Sequence, residues 1–342
     1  MNRERFQTIA DRYPLLRLAV VGDFCLDRYL EIDPARREIS IETGLPVHNV
    51  VNIRSQPGAA GTILNNLVAL GIGALFPVGF TGQDGEGFEL RRALLQKSGV
   101  NLDFFLETSD RRTFTYCKPL VVEPGKPPVE LSRLDSKNWT PTSDGVQERI
   151  IASVRELAGR VDAIILMDQV DVPETGVVTA RLLQAIKEIA QDRLDLLILA
   201  DSRRGLRGYP PVCLKMNSGE LSSLTGTAPN SAVEEVAQAA AQLSVNQGRH
   251  VFITLAEQGM VGASPSGQVE HVPALPVRGK IDVVGAGDAV TANLAASLAA
   301  GASLRESLGI ANVAASLVLH QLGTTGTASP LQIGQLLASS KL

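Results

Sequence analysis

Aromatic residues make up only 4% of this chain of 342 residues, too few to build the stacking platforms that hold single-stranded nucleic acid. No run is rich in Lys and Arg and the net charge is −4, which argues against nucleic acid or an anionic membrane as the main partner. Cysteine is scarce too: Cys25, Cys117 and Cys213 are odd in number and far apart, as expected of reduced thiols in a cytoplasm. The histidines, His48, His250, His271 and His320, have no metal-ligand spacing with one another or with the cysteines, so no zinc site is expected. No window reaches about 18 apolar residues without charge, and the charged, helix-like N-terminus lacks the long apolar core of a signal peptide. Also missing are a G-x-G-x-x-G after the first strand and a G-x-x-x-x-G-K-[ST], which disfavours a nicotinamide-binding domain and a P-loop enzyme. What is left is a cytoplasmic protein that is 44% hydrophobic, enough to bury a full core.

Strands and helices alternate along it. Leu15–Val21, Ala74–Phe80, Ala163–Met167, Asp195–Ala200, Val212–Met216 and Val251–Leu255 read as strands, the first and third as continuous apolar runs. Ala60–Leu70, Gly87–Ser98, 175–190, Ala232–Asn246, 289–300 and 304–320 read as helices, the last two finishing the fold. The alternation predicts an α/β fold, a doubly wound, mostly parallel sheet with helices on both faces, as one domain over 1–342. Residues 31–56 and 111–134 break the rhythm with β-branched, polar and proline residues, and are expected to form a small β-sheet lid. Gly125-Lys126-Pro127-Pro128 would turn its last hairpin.

Ligands of such sheets bind at the carboxyl ends of the strands. After the first strand come Asp23 and Asp27, carboxylates suited to sugar hydroxyls, though an Asp turn and a solvated Asp would look the same. Further on, Asp282-Val283-Val284-Gly285-Ala286-Gly287-Asp288 opens a helix of small residues. A glycine turn there aims unpaired N–H groups and the helix dipole at one point, an anion site. A carboxylate set into it, Asp288, suits a general base for a substrate hydroxyl; the plainer reading is a helix cap.

In shared order these elements resemble the ribokinase-like (PfkB) carbohydrate kinases from about residue 16 to 330, closest to the D-glycero-beta-D-manno-heptose-7-phosphate kinase branch. Val20-Val21-Gly22-Asp23 with Asp27 is similar to that branch's opening. Gln56-Pro57-Gly58-Ala59-Ala60, then Asn66, is similar to its glycine-pair signature, and Gly79-…-Gly82-…-Asp84-…-Gly87 to its G-x-x-G-x-D-x-x-G element. Arg133-Leu134-Asp135 resembles the exit from the lid, and Lys215-Met216-Asn217-…-Glu220 the N-x-x-E that organises Mg²⁺ and nucleotide phosphates through water. Thr254-…-Glu257-Gln258-Gly259, Asn312 and Leu322-Gly323-Thr324 are similar to the surroundings of the ATP. The resemblance implies phosphoryl transfer from ATP to a sugar or sugar-phosphate hydroxyl, with Asp288 as base and 285–288 as anion hole. It implies an acceptor held by Asp23, Asp27, Gly58, Ala59, Thr62, Asn66, Tyr116 and Lys118. It also implies Mg²⁺ near Glu220, a K⁺-type ion near Asp282 and the Val284 carbonyl, and a homodimer clasped through the lid. Taken alone, Asp282 also reads as a strand-end turn residue and Glu220 as a first-turn glutamate.

The departures fall on the acceptor side. Ala59 stands where the family has the second glycine of its pair, and Thr62 where it has an Asn. Tyr116 and Lys118 occupy positions where the branch carries Lys and Arg, so one cation is lost. The stretch 167–171 lacks the branch's Tyr-x-Lys-Gly. No room is expected for the nucleotidylyltransferase domain that some heptose kinases carry. Two other readings stay open: a nucleoside-type kinase of the same fold, with Phe24 and Tyr29 as its nearby aromatics, and a non-catalytic sugar or nucleotide sensor.

Overall fold

The computed structural model describes residues 1–228, 231–323 and 325–339. Its centre is a nine-stranded sheet in the order Val269–Val272, Met260–Ala263, Val251–Thr254, Cys213–Asn217, Leu197–Ser202, Ala163–Asp168, Arg17–Gly22, Ala74–Gly82, Phe105–Thr108. The seven from Val251–Thr254 to Phe105–Thr108 run parallel, and the remaining two join antiparallel at one edge. A parallel strand covered on both faces needs apolar side chains at every position. Arg17–Gly22 meets this with Leu18 and Val20 on one face and Ala19 and Val21 on the other, all fully buried.

The two faces carry separate cores. Leu18 and Val20 pack with the helices Arg3–Ala10, Ala60–Leu70, Ala286–Ala299, Leu304–Leu319 and Pro330–Ser339. Ala19 and Val21 pack with Asp144–Ala158, Ala180–Asp192, Ser218–Thr225 and Val233–Gln247. Ala60–Leu70 ends as expected at Gly71, in the left-handed conformation at φ 79°. Among the described residues no helix is long and apolar enough to cross a membrane.

The lid is a four-stranded sheet in the order Val50–Ala59, Phe24–Ile32, Thr115–Val121, Val129–Glu130, and Gly125–Pro128 does turn its last hairpin. It begins earlier than the expected 31–56. The chain leaves the core sheet at Gly22 and enters the lid at Phe24, so Asp27 belongs to the lid and not to the end of the first strand. Within the expected 31–56, the chain divides between a two-residue pairing, Glu38–Ile39 with Pro46–Val47, and the long strand from Val50.

Other boundaries shifted for local reasons. The helix expected from 175 starts at Ala180 under a Thr179 cap, because the carbonyl of Gly176 accepts from Thr142 and the N–H of Val177 donates to Asp23. The strand expected at Asp195–Ala200 is Leu197–Ser202, with Asp195 paired to Arg193 in the preceding turn. The helix expected from 289 starts at Ala286, and the fold ends on Pro330–Ser339, not on the helix before it. Three strands the sequence did not suggest, Phe105–Thr108, Met260–Ala263 and Val269–Val272, have four residues each, too few for alternation to stand out.

Candidate active site

Gly285 caps the helix Ala286–Ala299 at φ 82°, a left-handed conformation that glycine adopts without strain. The N–H of Ala286 turns back to the Val283 carbonyl at 3.3 Å, which leaves those of Gly287 and Asp288 at the open helix end. Below this turn lies an ion pair that the sequence reading missed. Lys215 Nζ sits 2.8 Å from Asp201 Oδ2, both side chains are buried, and Thr291 donates to the same oxygen at 2.8 Å. A Cβ on Gly287 would stand 3.3 Å from Lys215 Nζ, so the cation lies directly against the turn. Burial pushes the Asp288 carboxyl up to about 7, Asp201 adds to the rise, Lys215 opposes it, and Asp27 raises it further. Burial also disfavours the charge on Lys215, but Asp201 outweighs it and keeps the lysine protonated. Asp201 was hidden by the two-residue shift of its strand; placed at the carboxyl end of Leu197–Ser202, it stands where sites of this fold form.

Asn217 and Glu220 form a reciprocal capping box: Asn217 Oδ1 accepts from the Glu220 N–H at 2.9 Å, and Glu220 Oε2 from the Asn217 N–H at 2.7 Å. One carboxylate oxygen of Glu220 thus serves the helix and the other is left for a hydrated ion. Among the described residues no group of three His, Cys, Asp or Glu could hold a metal directly. Beside the capping box opens a cleft of about 860 Å³, within the range of small-molecule sites. Asn217, Thr254, Glu257, Gly259, Gly287 and Asn312 all line it. Gly259 (φ 91°) leaves no room for a Cβ against the Val272 carbonyl, and Asn312 donates to the Pro273 carbonyl at 2.6 Å. Gly323 does not line this cleft; its N–H donates to Asp282 Oδ2, while Asp282 Oδ1 accepts from Val284 N–H. Asp282 therefore ties together the loops on either side of it. Thr324 lies outside the described residues.

Asp27, Gly58, Ala59, Tyr116 and Lys118, expected to hold the acceptor, lie on lid strands. Asp27 and Lys118 pair at 3.4 Å, and burial raises the Asp27 carboxyl against that cation. Gly58 makes the pairing possible: a Cβ there would be 2.7 Å from Cys25 Sγ and closer still to Asp27 Oδ2. Ala59 holds φ 54°, ψ −120°, a glycine conformation on a residue with a side chain. Tyr116 packs edge-on against Phe114 and lies under two cations, Arg133 at 4.4 Å and Lys137 at 5.7 Å from its ring centre. Tyr29 is flanked in the same way by Arg54 and Lys118. Arg133 and Lys137 come from the segment after the last lid strand and are themselves paired with Asp135 and Asp171.

Three expected acceptor residues sit further back. Asp23 accepts from the N–H groups of Gln169, Val170 and Val177, holding the 169–177 loop; burial and the nearby Asp168 nonetheless raise its carboxyl to about 6. Asp168, also missed, is fully buried and accepts from Ser202, Arg204 and Tyr209, which fixes the start of that loop. Thr62 and Asn66 are enclosed in their helix, the Asn66 amide donating to the Thr62 carbonyl. Asp84 of the G-x-x-G-x-D element caps its helix and accepts from the N–H and hydroxyl of Thr113, anchoring the foot of a lid strand.

The family profile described as pfkB family carbohydrate kinase matches residues 17–331. Among curated relatives, a bifunctional protein HldE of Azorhizobium caulinodans is 34% identical over 312 residues, covering 91% of this chain and 62% of that protein. The HldE of a Bradyrhizobium strain is 31% identical over 310 residues, covering 90% and 61%. The chain thus spans about three fifths of these relatives. Among solved structures, Escherichia coli phosphofructokinase-2 with substrates and products superposes with a TM-score of 0.71 at 19% identity, covering 95% of this chain and 99% of that one. Arabidopsis thaliana ribokinase complexed with ribose and ATP gives 0.67 at 22%, with the same coverage. These two likenesses speak for the fold.

Proposed function

The chain belongs to the pfkB family of carbohydrate kinases, and from that premise we propose that it transfers the γ-phosphate of ATP to a hydroxyl of a sugar phosphate resembling heptose 7-phosphate. The observation that carries the reading is the place of Asp288. It ends the turn that borders the 860 Å³ cleft, and it is close enough to Asp27 on the lid for that carboxylate to raise its proton affinity. Nucleotide phosphates approaching along the cleft would meet the open N–H groups of Gly287 and Asp288. An acceptor held at Asp27 and Lys118 would present its hydroxyl to the Asp288 carboxylate.

Phosphoryl transfer needs positioning and charge neutralisation more than covalent help. Asp288 takes the hydroxyl proton as the oxygen bonds to the γ-phosphorus, and the bond to the bridging oxygen breaks to release ADP. A carboxyl that titrates near neutrality is matched to that task, since base catalysis works best when the pKa lies near the working pH. Lys215 lies behind Gly287 and adds positive field to the N–H groups that receive the transferring phosphoryl. Magnesium, held through water by Glu220 and Asn217, would neutralise charge on the β- and γ-phosphates. Asp282 and the Val284 carbonyl suit a monovalent cation that would stiffen the loop.

Arg54, Lys118, Arg133 and Lys137, on the lid and its exit, are each paired with a carboxylate, Glu31, Asp27, Asp135 and Asp171 in turn, and an acceptor that carries its own phosphate would exchange with those carboxylates. The nucleoside reading finds less support, because Phe24 packs edge-on against Phe105 and Tyr29 is covered by cations. Ile39, Ile41, Leu45 and Ile53 on the lid are exposed, apolar surface that suits a homodimer. The test is ATP consumption across sugars, sugar phosphates and nucleosides. Turnover is expected with a sugar phosphate and is expected to fall by about 10²–10⁴-fold in Asp288→Asn. An unaffected variant, or turnover only with nucleosides, overturns the reading.

A further inference from the structure

The roof of the cleft is an irregular stretch from Pro273 to Gly285, without helix or strand, and it brings Val277, Ile281 and Val283 to the cleft largely exposed. A segment with so few contacts of its own must be held from outside to keep a ligand site in shape. Besides the Asn312 bond to the Pro273 carbonyl at its start, two fastenings join it to the helix Leu304–Leu319. One is the backbone bond from Asp282 N–H to the Leu319 carbonyl at 2.8 Å, with the Asp282 side chain bridging to Gly323. The other is His320, the residue that caps that helix.

His320 contacts Ser316 and Arg278 with opposite ends of its ring. Nδ1 lies 2.7 Å from the Ser316 carbonyl, and Nε2 lies 3.0 Å from the backbone N–H of Arg278. A carbonyl can only accept and an N–H can only donate, so the two bonds together define one state of the ring. Nδ1 carries the proton and Nε2 presents its lone pair. The charged groups on the roof near this contact are Arg278, Lys280 and Asp282. The last two turns of the helix, 312–319, and residues 321–323 carry none.

We propose that His320, as the neutral Nδ1–H tautomer, is a positioning residue for the nucleotide: it pins the roof of the cleft at Arg278, and nucleotide affinity depends on that bond. The inference rests on the cleft being the nucleotide site. It assigns His320 no contact with substrate, so its loss weakens nucleotide binding while leaving the phosphoryl-transfer step to Asp288.

The test uses the full chain, with ADP as probe in calorimetry and hydrogen exchange at the Arg278 amide as a readout that needs no ligand. His320→Leu is expected to weaken ADP binding about fivefold to tenfold, the factor that corresponds to one net hydrogen bond. The KM for ATP should rise with kcat little changed, and Arg278 should lose protection relative to its intrinsic exchange rate. His320→Gln, whose amide oxygen can accept from Arg278, is expected to restore affinity. If His320→Leu does not fold, the wild-type protein still decides the matter: its Arg278 amide must exchange well below its intrinsic rate. ADP binding that His320→Leu leaves unchanged, or an Arg278 amide that exchanges at its intrinsic rate in the wild-type protein, overturns the role given to His320. A wild-type protein that binds no ADP overturns the nucleotide reading of the cleft, and the inference falls with it.

Discussion

Replacing Ala59 by glycine should stabilise this protein, the reverse of the usual effect. Ala59 stands between the lid strand Val50–Ala59 and the helix Ala60–Leu70, at φ 54° and ψ −120°. For a residue with a Cβ such a conformation costs about 1–3 kcal/mol, whereas glycine adopts it freely. Against this, glycine frees the unfolded chain by roughly 0.4–1 kcal/mol relative to alanine. The net expectation for Ala59→Gly is a gain of about 1 kcal/mol, a rise in Tm of roughly 2 °C for a chain of this size. Denaturant unfolding should show a higher midpoint at an unchanged slope. The neighbouring Gly58→Ala is the control, since its new methyl would collide with Asp27 and Cys25. It should destabilise the fold and raise the KM for the acceptor. Should Ala59→Gly lower Tm, as glycine ordinarily does, the strain argument fails.

Other expectations follow from the site. The base form of Asp288 is required, so kcat/KM should rise about tenfold per pH unit on the acid side and level off above about pH 7; a profile flat from pH 5 to 8 would count against this base. The same carboxyl ionises near 3.8 when free and near 7 when folded, so the folded state keeps a proton the unfolded chain has lost. Its contribution to stability therefore declines between those values as pH rises, measurable by thermal unfolding across the range. Lys215→Met strands Asp201 as a buried unpaired carboxylate; it should cost about 3–5 kcal/mol and move the pH profile to the alkaline side. Arg133→Ala combined with Lys137→Met should raise the KM for a sugar phosphate by tenfold or more while leaving ATP affinity intact, and equal effects on both substrates would dismiss the lid cations as acceptor ligands.

Continuous apolar runs such as Leu18–Val21 announced the core strands because a parallel sheet demands them. The glycine turn at 285–287 was visible because few residue types can form it. Asp201 was not visible: its role depends on a strand end that moved by two residues and on Lys215, fourteen positions away. Separation along the chain likewise hid the surroundings of Tyr116. Tyr116 reads as the loss of a cation until the fold brings Arg133 and Lys137 over its ring. Gly323 was assigned to the nucleotide from its place in a motif, whereas its N–H serves Asp282. Local chemistry is written locally; partnerships between distant segments need the fold.

The passage of one unbroken chain from the core strand Arg17–Gly22 into the lid strand Phe24–Ile32 has a mechanical consequence. Asp23, between them, is held by three backbone N–H groups of the 169–177 loop and marks the point where the chain turns from core to lid. Asp27 rides four residues out on the lever, about 13 Å at the usual strand rise. A tilt of the lid by about 10° carries its carboxylate about 2 Å at that radius, enough to make or break a hydrogen bond, while Asp288 stays fixed in the core. The distance between Asp27 and Asp288 therefore depends on the angle at Asp23, an angle that the Arg28 pairs with Glu86 and Glu89 and the Asp84 clasp on Thr113 also hold.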